Sequence, residues 1–194
     1  MAKLYFHYST MNAGKSTALL QTGHNYRERG LATLVYTARI ESPAAPRVHS
    51  RIGIEGEARA FDAATDFLAE VAPAHAANPL GCVLIDEAQF LAPAQVRALG
   101  RVVDELGVPV LCYGLRTDFR GELFAGSAAL LGWADSLIEL KTICHCGRKA
   151  TMALRVGLDG RVEREGAQIE IGGNERYLPV CRRHFLAARE AGRC

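Results

Sequence analysis

The sequence predicts an α/β fold, a parallel sheet covered by helices, followed by a small β-rich region at the carboxyl end. Three observations carry that prediction. Apolar strand candidates alternate with helical stretches up to about Leu140. One of them, Leu80 to Ile85, is apolar almost throughout, as expected of a central parallel strand covered on both faces. After Lys141 the character changes to a Cys-x-Cys followed by alternating residues. Strands and helices in such alternation give a doubly covered parallel sheet.

The first strand candidate is Leu4-Tyr5-Phe6-His7-Tyr8, and Ser9-Thr10-Met11-Asn12-Ala13-Gly14-Lys15-Ser16 follows it directly. These eight residues read as a phosphate-binding P-loop. Small residues let successive backbone N–H groups converge on phosphate oxygens, and the following helix points its positive end at them. Lys15 would reach the β- and γ-phosphates of ATP, and the Ser16 hydroxyl would ligate Mg²⁺. The motif asks for Gly where this chain has Ser9. A chance Gly-Lys-Ser at a helix start is the alternative, and the surrounding elements weigh against it. Thr17 to Leu20 opens a helix that runs through Asn25 to Arg29, and Gly30 stops it. Leu34 to Thr37 is the next strand, so the nucleotide would sit at the carboxyl end of the first one.

From Arg39 to Arg59 no periodicity is visible, and a connection of that length is usually functional. Leu80 to Ile85 then ends in Asp86-Glu87-Ala88-Gln89-Phe90. An acid at the end of a buried strand is costly unless it has a partner or a task. Asp86 is placed to hold Mg²⁺ together with the P-loop hydroxyl. Glu87 would project toward the reacting centre, where it accepts a proton from a substrate hydroxyl or orients an attacking water. Pro93 to Leu106 carries a helical stripe of Val96, Leu99, Val102, Val103 and Leu106. Val108 to Tyr113 is another central strand and Ser136 to Leu140 the last.

Beyond Lys141, Thr151 to Val156 alternates, and Leu158-Asp159-Gly160-Arg161 forms a hairpin turn. Cys144-His145-Cys146 precedes the hairpin and Cys181-Arg182-Arg183-His184 follows it. Cys144, Cys146, Cys181 and His184 suit a tetrahedral structural Zn²⁺ held by two short knuckles, with unmetallated buried thiols as the alternative. His145, between two ligating neighbours, is expected to point away. A module with little core of its own gains from a metal staple.

Composition excludes some functions. Among 194 residues, 23 basic against 21 acidic side chains leave a net charge of +2, which makes no electrostatic case for a nucleic-acid or membrane partner. No stretch approaches the roughly 18 uninterrupted apolar residues of a membrane span. The amino-terminal strand candidate lacks a secretory apolar run, so a cytoplasmic location is expected. There the six cysteines are not expected to pair as disulfides. Cys82 and Cys112 lie within apolar runs and read as small buried side chains, and Cys194 is terminal.

Together these pieces resemble the thymidine kinases of the type shared by bacteria and animal cytosol, in their bacterial branch. The matching stretches are Met11 to Thr17, Asp86 to Phe90, Cys112 to Phe119, Ile171 to Tyr177 and the four Cys/His positions. The bacterial branch also has Ser at the place of Ser9 and the tight Cys-x-Cys. The resemblance implies a P-loop NTPase-like (RecA-like) domain over residues 1–140 and a zinc-binding small domain over 141–194 that carries a substrate-covering lasso loop. It implies a homotetramer that transfers the γ-phosphoryl group of ATP to the 5′-hydroxyl of thymidine or deoxyuridine, with dTTP as feedback inhibitor. Glu87 matches the general base and Asp86 the magnesium-associated acid, with Gln89 beside them on the nucleotide side. Phe90, Leu115, Phe119 and Phe124 fall where the family builds its thymine pocket, and Gly173 and Tyr177 on the loop that closes over the nucleoside. The family's Asp-x-Arg is replaced here by Glu41-Ser42-Pro43, with Arg47 and Arg51 nearby. The residues themselves, without the resemblance, leave open a P-loop ATPase, a broader deoxynucleoside kinase, or a zinc-ribbon nucleic-acid binder.

Overall fold

The computed structural model describes residues 1–39, 46–168 and 174–193. Strand β1 (Leu4–Ser9) leads into helix α1 (Lys15–Glu28), which closes at Arg29 before Gly30. Strand β2 (Ala32–Ala38) follows. Then come β3 (Arg47–His49) and β4 (Glu55–Glu57), an antiparallel hairpin inside the stretch where no periodicity is visible in the sequence. Three-residue strands are too short to show a period, which is why they escape a reading by pattern. Strand β5 (Arg59–Phe61), helix α2 (Phe67–Ala77), β6 (Leu80–Ile85) and helix α3 (Pro93–Leu106) come next. Strand β7 (Val110–Leu115), helix α4 (Ala125–Trp133) and β8 (Ser136–Glu139) complete the main layer.

Six of these strands form one sheet in the order β5-β2-β6-β7-β1-β8, with every neighbouring pair parallel. Side chains alternate across it, as a pleated strand requires. Val83 and Ile85 of β6 join Leu4 and Phe6 of β1 in a core roofed by Phe67, Val71, Val96, Leu99 and Leu130 from α2, α3 and α4. Cys82 and Leu84 face the other way, toward Leu19 of α1, Val48 of β3 and Tyr113 of β7. Cys82 and Cys112 are fully buried, as their apolar neighbours suggest.

The part of the chain after Lys141 is built differently. Two short antiparallel strands, β9 (Thr142–Ile143) and β10 (Lys149–Ala150), precede a three-stranded sheet. In that sheet β11 (Met152–Val156) lies between β12 (Val162–Glu163) and β13 (Tyr177–Val180). The region expected to be β-rich also ends in a helix, α5 (Arg182–Ala191), which buries Phe185 and Ala188 against the small sheet. Gly192, in the left-handed conformation, stops it. Among the described residues no helix is long and apolar enough to cross a membrane.

Candidate active site

The P-loop follows β1 and the acidic pair follows β6, yet these strands are not neighbours, because β7 lies between them. At ordinary strand spacing the gap is about 10 Å. The chain closes it from both sides. The P-loop bends over the sheet end through Asn12, at φ 61°, and Gly14, at φ 75°. No side chain caps α1 at Gly14, so the first-turn N–H groups remain available to an anion. From the far side, Glu87 adopts a left-handed conformation at φ 52° and starts a short 3₁₀ turn, Ala88–Phe90. A left-handed non-glycine residue is uncommon and costly, and such residues gather at functional sites.

That turn nests against two glycines. A Cβ on Gly114 of β7 would come within 2.9 Å of the Gln89 nitrogen, and one on Gly126 of α4 within 2.6 to 2.8 Å of the carbonyl oxygens of Leu91, Gln89 and Ala88. Only a residue without a side chain leaves that space. The result is that Ser16 Oγ donates to Asp86 Oδ2 at 3.2 Å, across 70 positions of sequence. Glu87 and residues Met11 to Thr17 line a cleft of about 240 Å³.

The electrostatics are strained in a way that invites a ligand. Lys15 is buried and donates through Nζ to the Thr10 carbonyl oxygen at 3.2 Å. Desolvation pulls its ammonium below the usual lysine range, Glu87 and Asp86 oppose that, and Arg51 adds to it. Ser9 Oγ donates to the same carbonyl at 2.8 Å. Burial, then the neighbouring Glu87, pushes the Asp86 carboxyl up to about 7. Its Oδ1 is buried without a hydrogen-bond partner among the described residues, as is Thr10 Oγ1. An orphaned carboxylate oxygen beside a serine hydroxyl is a donor set of the kind a hard divalent cation takes. Mg²⁺ fits there.

Gln89 stands behind this wall. Its Nε2 donates to Glu87 Oε2 at 2.5 Å and its Oε1 accepts from the Leu115 backbone N–H at 3.0 Å. Phe90 and Phe124 meet edge to face with centroids 6.0 Å apart. Phe119 is buried beneath the Arg155 guanidinium, 3.7 Å from its ring centroid. The carbonyl oxygen of Tyr177 accepts from Asn12 Nδ2 at 3.3 Å, joining β13 to the P-loop. Gly173, with Ile171 and Gly172, lies outside the described residues, and so does Glu41-Ser42-Pro43.

The Cys/His cluster gathers at the other end of the small sheet. The donor atoms of Cys144, Cys146, Cys181 and His184 all lie within 4.8 Å of one another. Cys144 Sγ is 3.3 Å and Cys181 Sγ 3.6 Å from His184 Nδ1, and Cys146 Sγ is 3.9 Å from Cys181 Sγ. Tetrahedral zinc with Zn–S bonds of about 2.3 Å needs donor separations of about 3.8 Å, so the cluster fits the ion. The tight Cys-x-Cys is accommodated by a turn in which Cys144 O accepts from Gly147 N, at 2.8 Å, with Gly147 at φ 79°. Cys181 is the N-cap of α5 and His184 lies in its first turn, which brings the second pair together. Desolvation pushes the Cys144 thiol up, but the Cys146 backbone and His184 outweigh it and the thiol falls to about 6. His145 departs from expectation. Rather than turning away, its ring stacks on His184 at 4.3 Å, with Nδ1 3.8 Å from Cys144 Sγ. Stacking hides one face of each imidazole from water, which an outward rotamer would forgo.

Several residues at the site escape a reading of the sequence. His49, Ser50, Arg51 and Ile52, at the tip of the β3–β4 hairpin, form the far wall of the P-loop cleft, and Ser50 Oγ is hydrogen-bonded to Thr17 Oγ1. The sequence marks the stretch by its length and names Arg51 beside the Glu41-Ser42-Pro43 departure, but no local pattern sets His49, Ser50 and Ile52 at the cleft. Arg155 stands opposite Glu163 across the β11–β12 hairpin and forms an ion pair with it, and Arg176 bonds the other oxygen of Glu163. Opposite charges either side of a hairpin turn are a signal that register alone exposes.

A family model described as thymidine kinase matches residues 2–185. A thymidine kinase of Novosphingobium aromaticivorans is 62% identical over 189 residues, 97% of this chain and 98% of that one. Those of Yersinia pseudotuberculosis and Salmonella typhimurium are 57% and 58% identical, over 100% and 99% of this chain and 100% and 94% of their own. Since the family match takes in every position from the P-loop Ser9 to His184 of the Cys/His cluster, the chain belongs to the thymidine kinase family.

Proposed function

We propose that the chain is an ATP-dependent, cytosolic thymidine kinase, transferring the γ-phosphoryl group of ATP to the 5′-hydroxyl of thymidine or deoxyuridine and so supplying dTMP for DNA synthesis. The observation that carries this reading is the carboxylate of Glu87 on the wall of the P-loop cleft. A carboxylate beside a phosphate cradle takes up the proton that an attacking hydroxyl must lose.

In this reading the backbone from Ser9 to Ser16 cradles the phosphates. Lys15 Nζ moves from the Thr10 carbonyl to the β- and γ-phosphate oxygens. Glu87 accepts the 5′-hydroxyl proton as that oxygen bonds to the γ-phosphorus, the bond to the β,γ-bridging oxygen breaks, and ADP leaves. Mg²⁺, when held by Ser16 and Asp86, supplies neutralisation of the charge that builds on those oxygens. The hydrogen bond between Ser16 and Asp86 supports that assignment. Phe90, Leu115, Phe119 and Phe124 enclose the thymine ring, and the segment from Gly173 to Tyr177 closes over it. Zn²⁺ on Cys144, Cys146, Cys181 and His184 is structural, since four protein ligands leave it no open position. Residues 1–140 then act as the nucleotide domain and 141–194 as the zinc-bearing cover. The homotetramer and the dTTP feedback implied by the family resemblance belong to the same proposal.

A panel of nucleosides with labelled ATP tests the activity. Thymidine and deoxyuridine should be phosphorylated, while deoxycytidine and purine nucleosides should not. Cytosine reverses the donor and acceptor pattern of the thymine edge, and each buried polar group left unpaired costs about 1–3 kcal/mol. Comparable kcat/KM for thymidine and deoxycytidine would favour a broad deoxynucleoside kinase, and turnover without any nucleoside a P-loop ATPase. Glu87→Gln should lower kcat by about 10²–10⁴-fold.

A further inference from the structure

Gln89 is buried, two residues beyond Glu87, and both ends of its amide are engaged. The NH₂ group donates to Glu87 Oε2 at 2.5 Å and the carbonyl oxygen accepts from the Leu115 N–H at 3.0 Å. Leu115 ends β7, the strand between β6 and β1, and is in register with Ser9 at the start of the P-loop. The amide therefore spans from the carboxylate to a fixed backbone point beside the phosphate cradle. Gly114 leaves room for it, because a Cβ there would come within 3.0 Å of Gln89 Oε1. Glu87 is itself left-handed and lies between β6 and the Ala88–Phe90 turn, with no regular element to hold its side chain.

We infer that Gln89 is a positioning residue, tying the Glu87 carboxylate to the end of β7 so that one oxygen is fixed and the other is left for the acceptor hydroxyl. This deepens the reading of Glu87 as the general base and rests on it. The family resemblance sets Gln89 among the nucleotide-binding residues. Its two bonds instead use its donor on the carboxylate and its acceptor on the backbone. A base held by one bond too few drifts, and misplacement of about 1 Å can cost about 10²-fold in rate.

Steady-state kcat and KM of Gln89→Met and Gln89→Glu, beside Glu87→Gln and the Gln89→Met/Glu87→Gln double variant, test the inference. Gln89→Met should lower kcat about tenfold or more, with KM for ATP and thymidine within about threefold. Gln89→Glu keeps an acceptor for the Leu115 N–H but sets a second carboxylate against Glu87, so its kcat should fall at least as far with the same KM values. It carries the test should Gln89→Met fail to fold. In the Glu87→Gln background Gln89→Met should change kcat no further. An unchanged kcat with a raised KM for ATP would make Gln89 a nucleotide ligand and overturn the inference. Should Glu87→Gln keep more than a tenth of wild-type kcat, the general-base reading is what fails. Should Glu87→Gln lose activity while Gln89→Met keeps its kcat and its KM values, the positioning role alone is lost.

Discussion

The P-loop cleft and the Cys/His cluster each join residues far apart in the chain, and they are held by different forces. Behind the cleft stands a six-stranded sheet whose core runs from Leu4 to Leu130. That core is large enough to carry a desolvated Lys15, an orphaned carboxylate oxygen on Asp86 and a left-handed Glu87 at once. Behind the cluster stand short strands and one helix, with Leu154, Val162, Val180 and Phe185 as the larger apolar side chains of the core. Two of that core's buried residues, Cys144 and Cys181, are themselves candidate ligands. Strain at a site is tolerated where surrounding burial is extensive, and a module without such burial places its stability in the metal.

The largest effect that sharpens this contrast is expected from Lys15→Ala. Phosphoryl transfer should be lost for any acceptor, because the ammonium that neutralises charge on the phosphates is removed. The melting temperature should stay within a few degrees, since the sheet core does not include Lys15 and Asp86 can take up a proton in its place. A calorimetric melt beside the kinase assay separates the two. Large destabilisation would mean that the cleft helps hold the sheet together, and the contrast would break.

Removing zinc should do the reverse. Chelation, or Cys181→Ser and His184→Ala, should leave the sheet folded while proteases cut beyond residue 141. The melt should drop by about 5 °C or more if the two parts unfold together. Thiolates must be deprotonated to bind, so metal loss should grow as pH falls. About one zinc per chain is expected in the wild type, and stoichiometric metal in both variants would remove Cys181 and His184 from the ligand set.

How much of this was legible in the sequence follows the same divide. Helix α3, Pro93–Leu106, has the predicted bounds, because its stripe is strongly periodic and Pro93 and Gly107 punctuate it. Strand β6 is equally clear from its apolar run. Helix α2 has no such stripe, being alanine-rich with Pro73 inside it, and its Asp66 N-cap and the burial of Phe67 and Val71 define it instead. At the site, the P-loop, the acidic pair and the candidate metal ligands are short local patterns with a chemical reason for each residue. The bond that the Leu115 N–H donates to Gln89, the hairpin tip over the P-loop and the stack of Arg155 on Phe119 depend on pairings that no local pattern encodes.

A smaller effect concerns pH. The folded Asp86 carboxyl is pushed from 3.8 to about 7, so between those values the folded protein holds a proton that the unfolded chain has released. The stability linked to this group is therefore present at low pH and lost as pH rises toward 7. A cation at the site must displace that proton, so affinity for Mg²⁺ with nucleotide should rise with pH over the same range. For a group titrating near 7, the ionised fraction grows about tenfold between pH 6 and pH 8. Binding calorimetry across that interval, with a buffer change to count released protons, measures it. Flat affinity would mean that Asp86 is already ionised, and that the sheet does not sustain the desolvation its burial implies.

The smallest effect is expected from Ser9→Gly, at the position where the chain departs from the usual phosphate-binding motif. The Ser9 hydroxyl donates only to the Thr10 carbonyl, which also accepts from Lys15, so its loss leaves that oxygen with a partner. The backbone at Ser9 needs no glycine, since it ends β1 in register with Leu115 and its φ is not positive. One neutral hydrogen bond contributes about 0.5–1.5 kcal/mol, and an added glycine costs about as much in the freedom it gives the unfolded chain. Ser9→Gly should therefore shift the melt by a few degrees at most and leave kcat within about threefold of wild type. If it abolished turnover with the melt intact, the hydroxyl would have a place in the chemistry. Position 9 would then belong with Lys15 and Glu87 rather than with the scaffold that holds them.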